Sequence, residues 1–373
     1  MVTSLEEVQE ILKVSSLHIE DTMNDLLGRY LALSASQIER IACVSVGMLL
    51  AGTSQLSKVA CWVGRDIQQD SRLRYVSRIL DAEYVNQTDV YQPLLRQALC
   101  RYNIDTWHIA MDRSTIAEKV EVLAITLNVR KRSIPLLWQT IDFGCTGADE
   151  QIGLIERVLP LIPAGKPVVF HGDSEFGAVD VMRYVQKQDW NFILGQPGNT
   201  LYRWPGKSWQ RLDALPVKPR RPIYLSQVEW TEKHAYGPLN VFAFYAPHQN
   251  SPFGDRRDIR YCATSLPITH TLRRRGRRRW GIEPFFKDYK SSGWHIESSA
   301  LTDLFRLDRL LTLLSVNYLW ATCIGRWLCK LGRRAEIDSK VHRHLSLFRI
   351  GHDWLIHQFV LGQSWPSMLT LYA

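Results

Sequence analysis

The sequence predicts an α/β protein in which a mixed β-sheet is covered by helices and flanked by further helical segments. Near Asp105 the spacing of apolar residues changes from a helical period to the alternation of strands, and helix and strand patterns then follow one another. A stretch rich in proline and glycine interrupts this order before helices resume. We therefore divide the 373 residues into five segments: 1–105, 106–198, 199–268, 269–331 and 332–373.

The first segment is predicted to be helical. Apolar residues recur at helical spacing in two runs: Val8, Ile11 and Leu12, then Ile38, Ile41, Ala42 and Val46. Ser34 and Ser36 are candidate caps for the second run. The amphipathic stretch 56–81 carries four arginines and is compatible with a helix-turn-helix-like reader of DNA. A helical bundle with an ordinary charged surface explains it equally well.

The second segment has the pattern of a mixed sheet. Three β-rich runs are followed by alternating helix and strand: TWHIAMD, VEVLAITLNV and SIPLLWQTIDF, then DEQIGLIERVLPLI, KPVVFHGD, AVDVMRYVQKQ and NFILG. Three strands followed by alternating helices and strands is the order of an RNase H-like core. We therefore expect that core here.

Residues 199–268 are predicted to form a β-rich insertion within that core. Prolines and glycines break this stretch into short alternating runs: PIYLSQVEW, LNVFAFYAP and DIRYCATSL. The helical pattern resumes with an arginine run and continues to a basic tail. The second part of the core is therefore expected at 269–331 and a helical tail at 332–373.

The net charge of +9 is concentrated in one place. Residues 271–290 contain eight cationic side chains and two anionic ones. A basic block of this kind is typical of a nucleic-acid contact, although solubility alone also explains such blocks.

A cytosolic protein without a membrane span is expected. The seven cysteines form no CxxC pair and have apolar neighbours, which favours reduced thiols in the core. The uncharged stretch Leu310–Gly325 is shorter than the roughly 20 residues that a membrane span needs, so it is predicted to be a buried helix. The first residues do not resemble a signal peptide.

Three acidic residues far apart in the sequence are candidates for one catalytic site. Asp112 closes TWHIAMD, Asp173 closes PVVFHGD, and Glu283 lies in the basic stretch RRRWGIEPFFKDYK. Ligands collect at strand ends in α/β sheets, and carboxylate oxygens suit a pair of divalent ions acting on a phosphodiester. For either aspartate alone, a cap or a turn is the simpler interpretation.

A helix around Glu283 would carry two distinct stripes. At 100° per residue, Arg279, Glu283 and Lys290 fall within an arc of about 40°, while Ile282, Phe285 and Tyr289 form an apolar side. The simpler interpretation is a solvated Arg–Glu pair worth ~0.3–0.5 kcal/mol. Pro284 fits only in a first turn, so a helix that begins after Arg279 would undo the alignment.

At these residues the chain resembles the DDE transposases of bacterial insertion sequences, in the branch called IS-four. The spacing of Arg279, Glu283 and Lys290 matches the YREK signature of that branch, and Gly276 occupies the tyrosine position. Four further stretches resemble family motifs: MDRS at Asp112, DSEFG at Asp173, RRWGIEPFFKDYK around Glu283, and SLFRIG near the C-terminus.

The resemblance implies cut-and-paste transposition by an RNase H-like core that a β-strand insertion divides. Asp112, Asp173 and Glu283 would be the catalytic residues and would hold two Mg²⁺ ions, for which Mn²⁺ can substitute. Water would nick the transposon end, and the freed 3′-hydroxyl would form a hairpin that is reopened and joined to target DNA. The implied partners are double-stranded terminal inverted repeats, target DNA and a second copy in a synaptic homodimer, in a bacterial cytoplasm at the nucleoid.

The resemblance also implies residues that bind DNA. Arg279 and Lys290 would clamp phosphates near the scissile bond, with the other arginines of the run beside them: Arg273, Arg274, Arg275, Arg277 and Arg278. A flipped base would stack on an aromatic of the insertion. Tyr261 or Arg260 lies nearest the expected position, and other candidates are Trp204, Trp209 and Trp230. For each of these, an ordinary role in the core or in a turn is the simpler interpretation.

Two alternatives to an active transposase stay open. One is a nuclease of the same fold that cleaves without joining strands. The other is a domesticated or inactive descendant that only binds DNA. The presence of all three acidic residues disfavours the inactive descendant, because an idle site should tolerate their loss.

Overall fold

The computed structural model of the chain describes residues 19–129, 132–246, 259–291, 293–366 and 369. Within these residues the fold is the mixed α/β arrangement that the sequence predicts. Its strands are β1 Trp107–Ile116, β2 Val120–Val129, β3 Arg132–Asp142, β4 Val168–Gly172, β5 Asn191–Gln196, β6 Leu201–Arg203, β7 Gln210–Arg211, β8 Ile223–Trp230, β9 Tyr236–Tyr245 and β10 Ile259–Thr264. All of them belong to one sheet, in the order β3-β2-β1-β4-β5-β10-β9-β8-β6-β7.

The first segment is helical where the structure describes it. Helical turns at 19–28 precede α1 Ala35–Ala51, α2 Leu56–Ala60, α3 Gln69–Ile79 and, after a π-helical turn, α4 Gln92–Leu99. Ser34 caps α1, and the Gln37 side chain accepts a bond from the Ser34 backbone N–H in return, which confirms one predicted cap. The predicted run at Val8, Ile11 and Leu12 lies outside the described residues.

The amphipathic stretch 56–81 forms two helices separated by a link. The chain leaves α2 at Cys61 and enters α3 at Gln69. Arg65, in the link between them, donates to Glu39 at 2.7 Å and lies over the ring of Tyr75. This arginine is therefore committed to contacts within the helical segment.

The first five strands form the mixed part of the sheet. β1 runs parallel to β4 and β4 runs parallel to β5, whereas β2 is antiparallel to β1 and β3. Helices α5 Ala148–Val158 and α6 Val179–Lys187 provide the crossover connections that parallel strands need. Each strand and helix predicted in 106–198 is confirmed. Every residue of β2 is buried, so helices and loops cover both faces here.

The strands of 199–268 extend this sheet. Three of them, β8, β9 and β10, coincide with the predicted alternating runs. β10 is antiparallel to both β5 and β9, so it joins the new strands directly to the edge of the core. The strands that interrupt the alternation along the sequence therefore continue the sheet in space.

Helices resume after β10. They are α7 Leu272–Gly276, a 3₁₀ turn Arg277–Gly281, α8 Ile282–Lys290, α9 Leu304–Lys330 and α10 Leu347–Val360. Residues 310–325 are all buried within α9, which confirms the predicted buried helix. Over the described ranges, the structure has no helix with the length and apolar character to cross a bilayer.

Two glycines let α9 and α10 touch through their backbones. A Cβ atom on Gly325 would lie 1.9 Å from the carbonyl oxygen of Leu347, and one on Gly351 would lie 1.8 Å from that of Ala321. No side chain fits at either position without separating the helices. The C-terminal helix is therefore fixed against the long buried one.

The prediction that the cysteines are core thiols is right for only some of them. Cys43 and Cys323 are buried, but Cys61, Cys100 and Cys145 are exposed. Cys61 and Cys100 each cap the C-terminus of a helix, where the chain turns towards solvent despite its apolar neighbours.

Candidate active site

Asp112 lies within β1. The sequence had suggested that it ends the strand, and that prediction is wrong. The strand continues to Ile116 because its antiparallel pairing with β2 continues that far. The parallel pairing with β4, however, stops at Ala110 opposite His171. Asp112 is therefore beyond the last paired residue on its β4 side. The five residues before it are buried on both faces, and the strand becomes partly exposed from this carboxylate onward.

Asp173 directly follows β4, as predicted. Continuing the register of β1 and β4 by two residues brings it beside Asp112. Its Oδ1 accepts a hydrogen bond from the backbone N–H of Glu175 at 2.9 Å, so it also caps the 3₁₀ turn that follows. On the neighbouring strand, a Cβ on Gly195 would lie 2.9 Å from the Asp173 carbonyl carbon. The close approach of β5 thus fixes the backbone that carries this carboxylate.

Arg279 connects Glu283 to Asp112. Its Nη1 donates to Asp112 Oδ2 at 3.3 Å, and its Nη2 donates to Glu283 Oε1 at 3.2 Å. Helix α8 begins only at Ile282, after Arg279, yet the i,i+4 pair survives. The reason is that the preceding 3₁₀ turn and Gly281 keep right-handed helical dihedral angles. A late helix start therefore leaves the Arg279–Glu283 part of the predicted alignment intact.

Lys290 does not share that contact. It is at the C-terminal end of α8, and its Nζ is 3.7 Å from Glu297 Oε1. The opposite side of the helix is as predicted, because Ile282, Phe285 and Tyr289 are buried.

Burial raises the pKa of Asp112 to about 6. Arg279 and the backbone N–H of Arg113 oppose this effect, whereas the charges of Asp173 and Glu283 add to it. The three predicted carboxylates are thus within electrostatic range of one another. Asp112 is the most enclosed part of the Arg279 bridge, with 16% of its side chain exposed against 57% for Glu283.

A second polar cluster adjoins the aspartates, and the sequence did not predict it. Arg113, the residue after Asp112, is bonded to Glu121, to Glu175 and to the carbonyl oxygen of Gly144. Glu175 also accepts from the Thr146 hydroxyl at 2.8 Å. The acidic residues Glu121 and Glu175, each in the sequence after one of the aspartates, were the available signal. The sequence alone did not show that Arg113 joins the two.

Two histidines lie further inside the sheet, His108 four residues before Asp112 and His171 two residues before Asp173. His108 Nδ1 and His171 Nε2 are 2.9 Å apart, and both side chains are buried. Burial, together with the charges of Arg278 and Arg275, lowers the pKa of His108 to about 3. Both rings are therefore neutral near pH 7, because burial and His108 also lower the pKa of His171.

The arginine run covers the face of the sheet beside the carboxylates. Arg273 lies over the ring of Phe244, with 5.3 Å between its guanidinium carbon and the ring centroid. The remaining members of the run other than Arg279 are exposed: Arg274, Arg275, Arg277 and Arg278. These four side chains are available to a polyanion.

A cleft of about 1210 Å³ opens beside Asp173 and Arg279. Its walls come from the ends of β5 and β10, the loop 213–217 and the turn that carries Arg279. Tyr261 lines it and is largely buried, and Arg260 lines it and is exposed. The other candidate aromatics are elsewhere: Trp230 is fully buried, Trp204 contacts Tyr202, and Trp209 lies under Arg203.

The donor chemistry of the site fits a hard divalent cation. Such ions prefer oxygen ligands, and Asp112, Asp173 and Glu283 supply carboxylates. The guanidinium of Arg279 lies between Asp112 and Glu283, where its positive charge takes the place that a metal ion would have. Across the described ranges, no three His, Cys, Asp or Glu side chains are grouped closely enough to hold a metal as they stand. Asp112 and Glu283 are thus held by an arginine in this conformation.

Comparisons with known proteins identify the family. Residues 124–320, more than half of the chain, match the family described as "Transposase DDE domain". Asp173 and Glu283 are inside the match and Asp112 precedes it. The search among curated proteins gave no match. Among solved structures, the chain is similar to "Cryo-EM structure of piggyBac transposase synaptic complex with hairpin DNA (SNHP)", with 10% identity, a TM-score of 0.39, and coverage of 95% of this chain and 80% of that chain. On the family match, the chain belongs to the DDE-domain transposases.

Proposed function

We propose that this transposase acts by cut-and-paste transposition on double-stranded DNA with terminal inverted repeats, and that it belongs to the IS-four branch. The observation that carries the proposal is the Arg279 bridge, which brings Glu283 to Asp112 across a long sequence separation. The strand order β3-β2-β1-β4-β5, with β1, β4 and β5 parallel, supports an RNase H-like core.

In this proposal Asp112, Asp173 and Glu283 hold two Mg²⁺ ions. When bound, the ions supply the positive charge that in-line attack on a phosphodiester requires. The chain fixes the positions of the two aspartates. Asp112 follows five buried residues of β1, and the backbone of Asp173 is in close contact with β5 at Gly195. Arg279 supplies a planar donor that suits bidentate contact with a phosphate.

The DNA is proposed to lie along the cleft and the exposed arginines. Arg274, Arg275, Arg277 and Arg278 would neutralise its backbone, and Lys290 would contact a phosphate from the far end of α8. Tyr261 is the aromatic of the cleft that we propose for stacking an unpaired base during hairpin formation. Synapsis of two ends would require a second copy of the chain.

Purified protein incubated with labelled terminal repeats and Mg²⁺ tests this function. Hairpins and joined products would support transposition, nicks alone would indicate a nuclease, and a shifted but uncut band would indicate a DNA-binding descendant. Asp112→Ala, Asp173→Ala and Glu283→Ala should each abolish cleavage and leave end binding nearly intact. Cleavage that survives one of these changes would remove that residue from the site.

A further inference from the structure

We infer that Arg279 is a positioning residue that holds Asp112 and Glu283 together until a cation and a DNA phosphate replace it. The inference rests on the function proposed above and adds an order to it. The guanidinium donates from two different nitrogens to two carboxylates that belong to separate elements, β1 and α8. In this conformation it is the bridge between the strand and the helix.

The position of Arg279 makes it a competitor of a bound cation. A divalent ion that takes Asp112 Oδ2 and Glu283 Oε1 as ligands would displace the guanidinium from those oxygens. Only 16% of the Asp112 side chain is exposed, so this carboxylate has little access to water as a substitute partner. Loss of Arg279 without another cation would leave a buried charge uncompensated, which is costly.

The same side chain also faces the cleft. Arg279 lines the cleft together with Asp173 and Trp280, and 21% of its side chain is exposed. A phosphate there would offer the guanidinium a bidentate acceptor of the kind that it binds well. The guanidinium would then leave the carboxylates at the moment when substrate arrives.

Two consequences follow for binding. DNA should tighten the binding of a divalent cation, because it removes the competitor. By linkage, the cation should tighten the binding of DNA by the same factor. In the free protein the bridge would keep cation binding weak, so the site would be completed only after the DNA phosphate is in place.

Titration of the full-length protein with Mn²⁺, followed by electron paramagnetic resonance, measures this coupling. A short duplex of the terminal repeat is added in half of the samples, and the Mn²⁺ that the duplex binds alone is subtracted. For the unmodified protein we expect DNA to tighten Mn²⁺ binding about tenfold, within the range of roughly 5–150-fold typical of coupled sites. Arg279→Gln should bind Mn²⁺ about tenfold more tightly without DNA and lose most of the DNA effect.

Lys287→Gln is the matched control. It removes one positive charge from an exposed side chain on the helix that carries Glu283, outside the arginine run, and it should keep the DNA effect. If Lys287→Gln matches Arg279→Gln, general charge repulsion explains the result and the bridge does not. If Mn²⁺ binding to the unmodified protein is indifferent to DNA, the inference is overturned without any variant.

Asp112→Asn separates this inference from the proposed function. If Asp112→Asn abolishes Mn²⁺ binding and folded Arg279→Gln has an unchanged Mn²⁺ affinity, the bridge has no role in cation binding. The proposed metal site would still be supported. If neither change affects Mn²⁺ binding, both proposals fail. Circular dichroism establishes that each variant is folded, and Arg279→Lys, which keeps the charge and loses the fork, should give an intermediate DNA effect.

Discussion

Arg113 and Glu175 are joined by an ion pair, with 3.0 Å between Arg113 Nε and Glu175 Oε1. Arg113 follows Asp112, and Glu175 is two residues after Asp173. The pair therefore ties β1, just beyond its pairing with β4, to the turn that follows β4. It sets the relative positions of the two aspartates through residues that flank them, because the backbone N–H groups of Arg113 and Glu175 also donate to Asp112 and Asp173.

Arg113→Gln should destabilise the protein by about 3 kcal/mol, because Glu121 is buried and loses its counter-ion together with Glu175. Glu175→Gln should cost less, since Arg113 keeps Glu121. Urea denaturation of both single variants and of the double variant should give a coupling energy of about 0.5–3 kcal/mol. The exposed pair Arg183–Asp180 is the control, and its coupling should be below about 0.5 kcal/mol.

Arg277→Ala should weaken DNA binding uniformly across sequences. If its exposed guanidinium contacts a phosphate, the slope of log K against log salt should become shallower by about 1. Fluorescence anisotropy with a duplex at several salt concentrations measures the slope. Arg183→Ala, away from the arginine run, should leave it unchanged, and an equal slope for both variants would mean that Arg277 touches no phosphate.

Stability should depend on the titration of Asp288. Burial raises the pKa of this carboxyl from 3.8 to about 6, and Arg132, Lys287 and Arg349 only partly oppose it, together with a bond from Ser346. A carboxyl with a raised pKa contributes stability that is fully present below its unfolded pKa and is lost as pH rises through about 6.

Asp288→Asn should therefore remove this loss. Between pH 4 and pH 7 its free energy of unfolding should fall by up to about 3 kcal/mol less than that of the unmodified protein. The comparison between pH values cancels any constant cost of the substitution. Chemical denaturation at both pH values provides the measurement. An Asp288→Asn variant with the same pH dependence as the unmodified protein would show that this carboxyl does not titrate in the interval.

Gly351→Ala should destabilise the protein by several kcal/mol, because the new Cβ would meet the Ala321 carbonyl oxygen at 1.8 Å. Thermal unfolding measures the loss. Gly153→Ala in α5 is the matched control: a Cβ there meets nothing within 4 Å, so alanine should stabilise the helix by about 0.5–1 kcal/mol. If both alanines are tolerated equally, α9 and α10 are not in backbone contact.

Much of this fold could be predicted from local patterns. The alternation of apolar residues located β2 and β3, and a capping serine located α1, because these signals depend on neighbours in sequence. The long uncharged stretch identified the buried part of α9 by the same kind of reasoning. The acidic trio was also visible, since each member stands beside a recognisable strand or a basic run.

The remainder depends on contacts between distant parts of the chain. Asp112 was expected to end a strand, but the two neighbours of β1 stop pairing at different residues, which no local pattern reveals. The bond of Arg113 to Glu175 joins elements 62 positions apart, and the pairing of β10 with β5 joins segments even further apart. The persistence of the Arg279 bridge across a 3₁₀ turn required the actual dihedral angles.

The pairing of β10 with β5 has a consequence for synthesis of the protein. While the ribosome is still translating the residues between them, β5 presents an unsatisfied row of backbone donors and acceptors on that side. Glu283 emerges later still, after β10 can dock. A chain that ends before β10 would expose this unpaired edge, so we expect incomplete chains to be prone to aggregate. Under the proposed function, such a chain would also lack Glu283 and would be unable to cleave DNA.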